Sequence, residues 1–245
     1  MKYKFINKSL LFEREAEDQK TKEKILAIAD LHMGHEEAMN KAGIFLPRIQ
    51  FSEIMKDLEK IFSEIGIVDE IVICGDLKHE FSVISNQEWK ETIDVLNYLE
   101  KKCRKIILVK GNHDKILGPI AEKNKINVVD FYIKDDICFI HGDRIFPEIF
   151  GKKIKTIVLG HRHPAVVIQD KYKKEKFKCF LVGKWKGKKV IILPSFFPLI
   201  EGTDLVEEGN NLLFIEEKKL RNFEVYAIGD KVYDFGKLKD IGKLE

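Results

Sequence analysis

Three short apolar runs constrain this chain most: Lys24–Ala29 (KILAIA), Glu70–Cys74 (EIVIC) and Lys105–Lys110 (KIILVK). Each is too short for a helix and rich in β-branched residues, so each reads as a buried strand. Ile54, Met55, Leu58, Ile61, Phe62 and Ile65 follow helical spacing between the first two, with Ser52 as N-cap and Gly66 past the end. Between the second and third, Ser85 and Glu88 form a capping-box pattern, and Trp89, Ile93, Leu96 and Leu99 continue on one helical face. Strand–helix–strand–helix–strand predicts a parallel sheet with right-handed crossovers.

After Asn124 the pattern changes. Runs at Ile126–Val129, Ile137–Ile140, Thr156–Leu159, Phe177–Val182, Val190–Leu193, Leu212–Ile215 and Phe223–Ile228 follow one another with little helical periodicity. They predict a second sheet, or the antiparallel half of a mixed one. The reading is α/β, with two mixed β-sheets packed face to face as a sandwich flanked by helices. A length of 245 residues suits a single domain over 1–245, its motifs within 24–206 and residues 207–245 completing strands or making an oligomer contact. Disorder is excluded by 44% hydrophobic residues. The longest uncharged stretch of the C-terminal half, Val190–Ile200, is far short of the roughly 20 residues that span a bilayer. Without an apolar N-terminal signal segment, and with four cysteines lacking any CxxC spacing, the expectation is a reduced cytoplasmic protein.

The histidines are not scattered. The first strand ends in Asp30-Leu31-His32, the second in Gly75-Asp76, and the third runs into Gly111-Asn112-His113-Asp114. Ile137–Ile140 ends in His141-Gly142, and Thr156–Leu159 in Gly160-His161-Arg162-His163. Carboxyl ends of parallel strands form the crevice of an open α/β sheet, so these groups converge on one rim. Asp, His and Asn form a mixed oxygen and nitrogen donor set suited to manganese, iron, zinc or cobalt rather than magnesium or calcium. Asp30, His32, Asp76, Asn112, His141, His161 and His163 are too many for one ion and suit two that share a carboxylate. Such a pair acidifies a bridging water and neutralises phosphoryl oxygens during in-line attack.

The series DLH, GD, GNHD, HG and GHRH resembles the calcineurin-like metallophosphoesterase superfamily. ADLHMGHE, Gly43–Pro47 (GIFLP), GDLKHEF, GHRHP and LPSFFPLIEGTD are similar, more narrowly, to the archaeal exonuclease-related phosphoesterases and the DNA-ligase-associated phosphoesterases. The resemblance implies the metallophosphoesterase fold. It assigns Asp30, His32, Asp76 and His163 to one metal and Asp76, Asn112, His141 and His161 to the other, with Asp76 bridging. It makes His113 the group that contacts the scissile phosphate and protonates the leaving oxygen, and Asp114 the residue that orients His113. It implies two divalent ions, manganese first, with iron, zinc, cobalt or nickel as alternatives. It further implies phosphodiesterase activity by metal-bridging hydroxide, including on 2′,3′-cyclic nucleotides. A nuclease acting on single-stranded DNA or RNA ends is the alternative.

Departures from related families narrow this reading. The arginine of the GDxVDRG phosphatases is missing from Gly75–Glu80 (GDLKHE), and no tyrosinate ligand lies near Asp76. Lys78 and Arg162 are candidate phosphate contacts, and His35 and His79 candidate supports for the ligands. A metal-bound scaffold without catalysis would have no use for Asn112 and His113.

The net charge of +3 hides one further feature. Residues 171–189 carry nine lysines and one glutamate, +8, leaving −5 on the rest. Gly183-Lys184-Trp185-Lys186-Gly187 suggests a hairpin with Trp185 near its tip. Lysines beside an aromatic form a candidate nucleic-acid surface, or, if the hairpin points away from the metals, a homodimer contact.

Overall fold

The computed structural model describes residues 1–15, 22–80, 85–114, 126–169, 173–205 and 214–241. Its first sheet runs, in spatial order, β1 (Lys2–Ile6), β2 (Ser9–Glu15), β3 (Lys22–Ile28), β4 (Val68–Cys74), β5 (Cys103–Val109) and β6 (Asn127–Val129). The four strands β3 to β6 are parallel, and the β1–β2 hairpin extends the sheet antiparallel to β3. Helices α1 (His35–Lys41), α2 (Gln50–Ile65) and α3 (Asn86–Glu100) occupy the connections. The run at Ile126–Val129, grouped above with the later strands, joins the first sheet instead, because β6 pairs with β5.

The second sheet is built from β7 (Tyr132–Lys134), β8 (Ile137–Ile140), β9 (Thr156–Leu159), β10 (Pro164–Gln169), β11 (Lys174–Trp185), β12 (Lys188–Ile192) and β13 (Thr203–Asp204). Its order is β13-β10-β11-β12-β9-β8-β7, while β14 (Glu224–Ile228) pairs with β11 and carries β15 (Val232–Lys237). A short helix, α4 (Glu217–Leu220), buries Leu220 against the outer face. Leu212 and Leu213 of the run at Leu212–Ile215 lie outside the described residues; Ile215 packs into the outer core.

Alternation along the strands builds three cores. Ile25, Ala27 and Ala29 meet Phe139, Val158, Phe180 and Ile191 between the sheets. Leu26 and Ile28 face the other way, against Ile54, Leu58, Ile61, Val95 and Leu96 of α2 and α3. With both faces covered, such strands read as continuous apolar runs rather than alternating ones. Each fully buried large side chain contributes about 1.5–3 kcal/mol. All four cysteines are free. Among the described residues no helix is long and apolar enough to cross a membrane.

Helix ends tie the scaffold to the rim. Ser52 is not the N-cap of α2: the helix begins at Gln50, and the Ser52 hydroxyl donates to the Ile49 carbonyl at 2.8 Å. The orphan N–H groups of Ile49 and Gln50 donate instead to Glu36 Oε1, at 2.7 and 2.8 Å. The capping box of α3 is present, and Glu88 Oε1 also accepts from the N–H groups of His79 and Glu80 at 2.9 and 3.0 Å. One buried glutamate thus starts a helix and fixes the loop after β4.

Candidate metal centre

Every expected donor sits just beyond the carboxyl end of a parallel strand: β3, β4 and β5 in one sheet, β8 and β9 in the other. The ladder continues past the strands, with Asp30 N–H to the Gly75 carbonyl at 3.1 Å and His32 N–H to the Asp76 carbonyl at 2.9 Å. Phe197 N–H closes on the Asp30 carbonyl at 3.0 Å. Here the chain adopts left-handed backbone: Asp30 (φ 56°), His32 (49°), Asp76 (49°), His161 (69°) and His163 (45°). Among the described residues the other non-glycine positions of this kind, Asn7, Asp135 and Lys186, lie in hairpin turns. Such conformations cost roughly 1–3 kcal/mol each and persist where surrounding contacts over-determine them. Two glycines permit the close approach. A Cβ on Gly75 would lie 2.2 Å from His141 Nδ1, and one on Gly111 2.1 Å from Asp76 Oδ1.

Among the described residues the donor atoms gather in three groups: Asp30–His32–His163, Asp76–His141–His161, and His32–His79–His113, which shares His32 with the first and holds no carboxylate. The second group shows what it is built to hold. His141 Nδ1–H donates to the Cys74 carbonyl at 3.0 Å, which leaves Nε2 facing the site. That nitrogen meets Asn112 Oδ1 at 3.0 Å, His161 Nδ1 at 3.0 Å and Asp76 Oδ2 at 3.3 Å. Acceptor atoms of Asn112, His161 and Asp76 therefore converge on this one nitrogen. In the first group His32 Nε2 lies 3.3 Å from His163 Nε2 and 3.8 Å from Asp76 Oδ2. His163 Nε2 lies 3.7 Å from Asp30 Oδ1, an oxygen that is wholly buried and has no hydrogen-bond donor. One atom, Asp76 Oδ2, is within reach of histidines of the first two groups. An orphaned carboxylate oxygen and converging acceptors fit divalent cations, and N/O donors of this kind suit transition ions.

Electrostatics agree. Burial pushes His32 down to about 3 and also lowers His161, so both are the neutral imidazoles that ligate metals. Burial alone would raise the Asp76 carboxyl, but its hydrogen bond to His141 and the charge of His141 hold it well below the usual carboxylate range. His141 is the exception: burial disfavours its charge, yet the bond to Asp76 and the field of Asp30 push it up to about 9. Its proton occupies the place a cation would take.

The remaining candidates divide. His113 borders the centre, its ring 4.9 Å from that of His32 and stacked on His79 at 5.3 Å. Its Nδ1–H donates to the His79 carbonyl at 2.5 Å, which aims Nε2 away from the backbone. That carbonyl supplies the orientation expected from Asp114. Asp114 instead accepts from the N–H groups of Gly111 (2.9 Å), Leu77 (3.1 Å) and Lys78 (3.4 Å), stitching two ligand loops together. Burial and the charge of Asp76 push its carboxyl up to about 7. Lys78 does not reach toward a phosphate: it is fully buried and donates to the carbonyls of Glu80 and, at 2.9 Å, His113. Arg162 stands half-buried between two ligands with Nε unpartnered. His35 and His79 pack edge to face at 4.6 Å, with His35 also 4.7 Å from Phe197.

Sequence reasoning passed over several supports. Gln50 Nε2 donates to the carbonyls of Leu31 (3.0 Å) and His32 (2.7 Å). Lys178 is half-buried and grips the carbonyls of Ser195 (3.0 Å) and Phe197. A lysine inside the otherwise apolar run Phe177–Val182 was the available signal for Lys178. The expected hairpin is present, with Trp185 directly before its Lys186–Gly187 turn, but Trp185 is buried against Phe150 and Phe214. It is therefore closed both to base stacking and to a dimer partner.

A two-sheet sandwich whose strand ends gather Asp, His and Asn in two sets defines a metallophosphoesterase. The family profile for calcineurin-like phosphoesterases matches residues 23–221, and the chain belongs to that family. No curated protein sequence matches it significantly. Among solved structures, the nuclease MPE of Pseudomonas putida aligns at 19% identity with a TM-score of 0.60, covering 86% of this chain and 87% of that one. A predicted phosphoesterase of Streptococcus pneumoniae aligns at 15% identity with a TM-score of 0.33, covering 85% of this chain and 91% of that one. Vps29 of Entamoeba histolytica, solved with zinc, aligns at 15% identity with a TM-score of 0.36, over 86% and 90%.

Proposed function

We propose that the protein is a binuclear phosphodiesterase, and the observation that carries this is the position of Asp76 Oδ2 between the two histidine groups. Asp30, His32, Asp76 and His163 would hold one ion; Asp76, Asn112, His141 and His161 the other. Two divalent ions bound there, manganese first, would acidify a water and neutralise phosphoryl oxygens in an in-line displacement. The chain's own groups supply the rest. His113, its Nδ1 held by the His79 carbonyl, presents Nε2 to deliver a proton to the departing oxygen. Arg162, with Nε unpartnered, offers donors to a phosphate oxygen. Asp114 keeps the Asp76 and His113 loops in register through three backbone N–H groups.

Nucleotide and nucleic-acid diesters are the first substrates to try, since the fold is shared with a nuclease. The test is metal reconstitution followed by a screen of bis-p-nitrophenyl phosphate, 2′,3′-cyclic nucleotides, mononucleotides and short oligonucleotides, with bound metal counted in parallel. Diester turnover with two ions per chain is expected. Turnover of monoesters alone, or a single ion at saturation, would refute the reading.

A further inference from the structure

Beyond β12 the chain runs past the end of β3 through residues 193–198 (LPSFFP). Pro194 and Pro198 lack N–H groups, so only Ser195, Phe196 and Phe197 can donate between them, and no full ladder forms. Two of these donors go to the strand end that carries the metal ligands. Phe196 N–H meets the Ala29 carbonyl at 2.8 Å and Phe197 N–H the Asp30 carbonyl at 3.0 Å. The Ser195 hydroxyl donates to the same Asp30 carbonyl at 3.4 Å. The Phe197 ring then lies 5.6 Å from that of His32, and Thr203 N–H, farther along, holds the His163 carbonyl at 2.8 Å. Asp30, His32 and His163 make up the first donor group. Among the described residues, no hydrogen bond or ring contact of residues 193–203 reaches Asp76, Asn112, His141 or His161.

The carbonyls of this segment need donors too, and one side chain supplies them. Lys178 Nζ, from β11, donates to the Ser195 carbonyl at 3.0 Å, to the Phe197 carbonyl and to the Ser195 hydroxyl at 3.5 Å. Among the described residues these are its hydrogen bonds, and no carboxylate lies within ion-pair distance of it. Burial pushes its ammonium down to about 7, with Lys8 adding to the fall and Asp30 and Asp57 opposing it. A lysine so placed gives up part of its solvation without gaining an ion pair. What it gains is a fixed segment. The second donor group is held by other means: Asp114 ties the Asp76 loop to the Asn112 loop, and the Cys74 carbonyl orients His141.

We propose that Lys178 is a positioning residue for one ion of the pair: through Ser195 and Phe197 it fixes the backbone of Asp30 and the ring of His32, so that its loss weakens the Asp30–His32–His163 site while the Asp76–His141–His161 site keeps its ion. This rests on the binuclear reading and adds to it an asymmetry, since the two halves of the centre depend on separate supports.

The experiment titrates manganese into metal-free protein and follows bound metal together with the electron paramagnetic resonance spectrum. Wild type should take up two ions that give the signal of a spin-coupled pair. Lys178→Met keeps an apolar stem of similar length but donates nothing. It should bind one ion as wild type does and the other about 10–100-fold more weakly, showing an isolated manganese ion where wild type shows the pair. Ser195→Ala removes only the hydroxyl and should give the same asymmetry to a smaller degree, which decides the matter if Lys178→Met does not fold. Gly187→Ala, in the turn at the far end, should keep the coupled pair. Equal weakening of both ions would overturn the proposal and make Lys178 a general stabiliser. A coupled pair at wild-type affinity in the folded variants would overturn it too. A wild-type protein that binds one ion, or two that do not couple, would instead sink the binuclear reading itself.

Discussion

The sandwich carries a knot of charge at each end, and the two are built in opposite ways. At the amino ends of the parallel strands, Lys134 Nζ sits 2.8 Å from Glu23 and 2.7 Å from Glu70, and the Tyr132 hydroxyl donates to Glu70 at 2.6 Å. Arg14 joins Glu23 to Asp135. Each carboxylate there meets a cation supplied by the chain. At the carboxyl ends, Asp30 and Asp76 meet histidines and one another's loops, and Asp30 Oδ1 has no donor. Among the described residues backbone strain follows the same division, with left-handed Asp and His at the rim and, at non-glycine positions of the other end, the turn residues Asp135 and Lys186. A knot that closes on itself is structure. One that leaves a buried carboxylate oxygen without a donor, and holds five Asp and His residues in left-handed backbone, is what a proposed cation site would require.

The sharpest way to break this contrast is to remove the shared oxygen. Asp76→Asn should abolish stoichiometric metal binding and lower kcat/KM by at least about a thousandfold, since bridging charge and a ligand of both groups go together. Elemental analysis of the purified variant checks it; two ions retained with wild-type turnover would show that Asp76 bridges nothing. His113→Ala should behave differently. Because His113 is not one of the seven proposed ligands, metal content should persist while kcat falls by about 10²–10⁴; lost metal would instead assign His113 to the third donor group, with His32 and His79.

Much of the rim was legible because its chemistry is local. Asp30, Asp76 and His141 each follow a run that is apolar on both faces, and such runs announce the carboxyl end of a buried strand. What was not legible depends on the third dimension. β1 and β2 escaped notice: charges flank their apolar residues, and Leu10, Leu11 and Phe12 are buried on both faces, so alternation is lost. The hairpin and the place of Trp185 beside its turn were legible, but not the packing against Phe150 and Phe214 that buries the ring. Asp114 was assigned to orient His113 because carboxylates are visible in a sequence, whereas the His79 carbonyl is not. Lys78 was read by its charge, but its buried ammonium serves two carbonyls.

Glycine substitutions probe the two ends with one chemical change. Gly111→Ala would place a methyl 2.1 Å from Asp76 Oδ1 and 2.5 Å from the Asp76 nitrogen, neither of which yields easily. Metal affinity should drop by about 10–100-fold, with a stability cost of about 1–3 kcal/mol. Gly187→Ala, in the turn at the opposite end, meets no atom within 4 Å and pays only for its φ of +78°. It should cost about 1 kcal/mol and leave metal affinity alone. Titration of both variants with manganese decides whether the crowding at Gly111 is specific to the centre.

The smallest effect belongs to the closed knot. Lys134→Met removes the cation shared by Glu23 and Glu70, at a site open enough for water to screen it, so the cost should be about 1 kcal/mol. Turnover should not change. The pH dependence carries more information than the size. Burial alone would raise Glu23, but its bonds to Lys134 and Arg14 lower it below the usual carboxylate value. A depressed carboxylate contributes stability above its unfolded pKa and loses it as pH falls through the folded one. Wild-type thermal stability should therefore decline on acidification below about pH 4.5, the ordinary glutamate value, and the variant should lose less over that interval. Equal acid slopes would mean that Lys134 does not hold Glu23. A variant that also lost metal or turnover would mean the two ends are energetically joined, and that the self-satisfied knot is part of what holds the rim in its strained backbone.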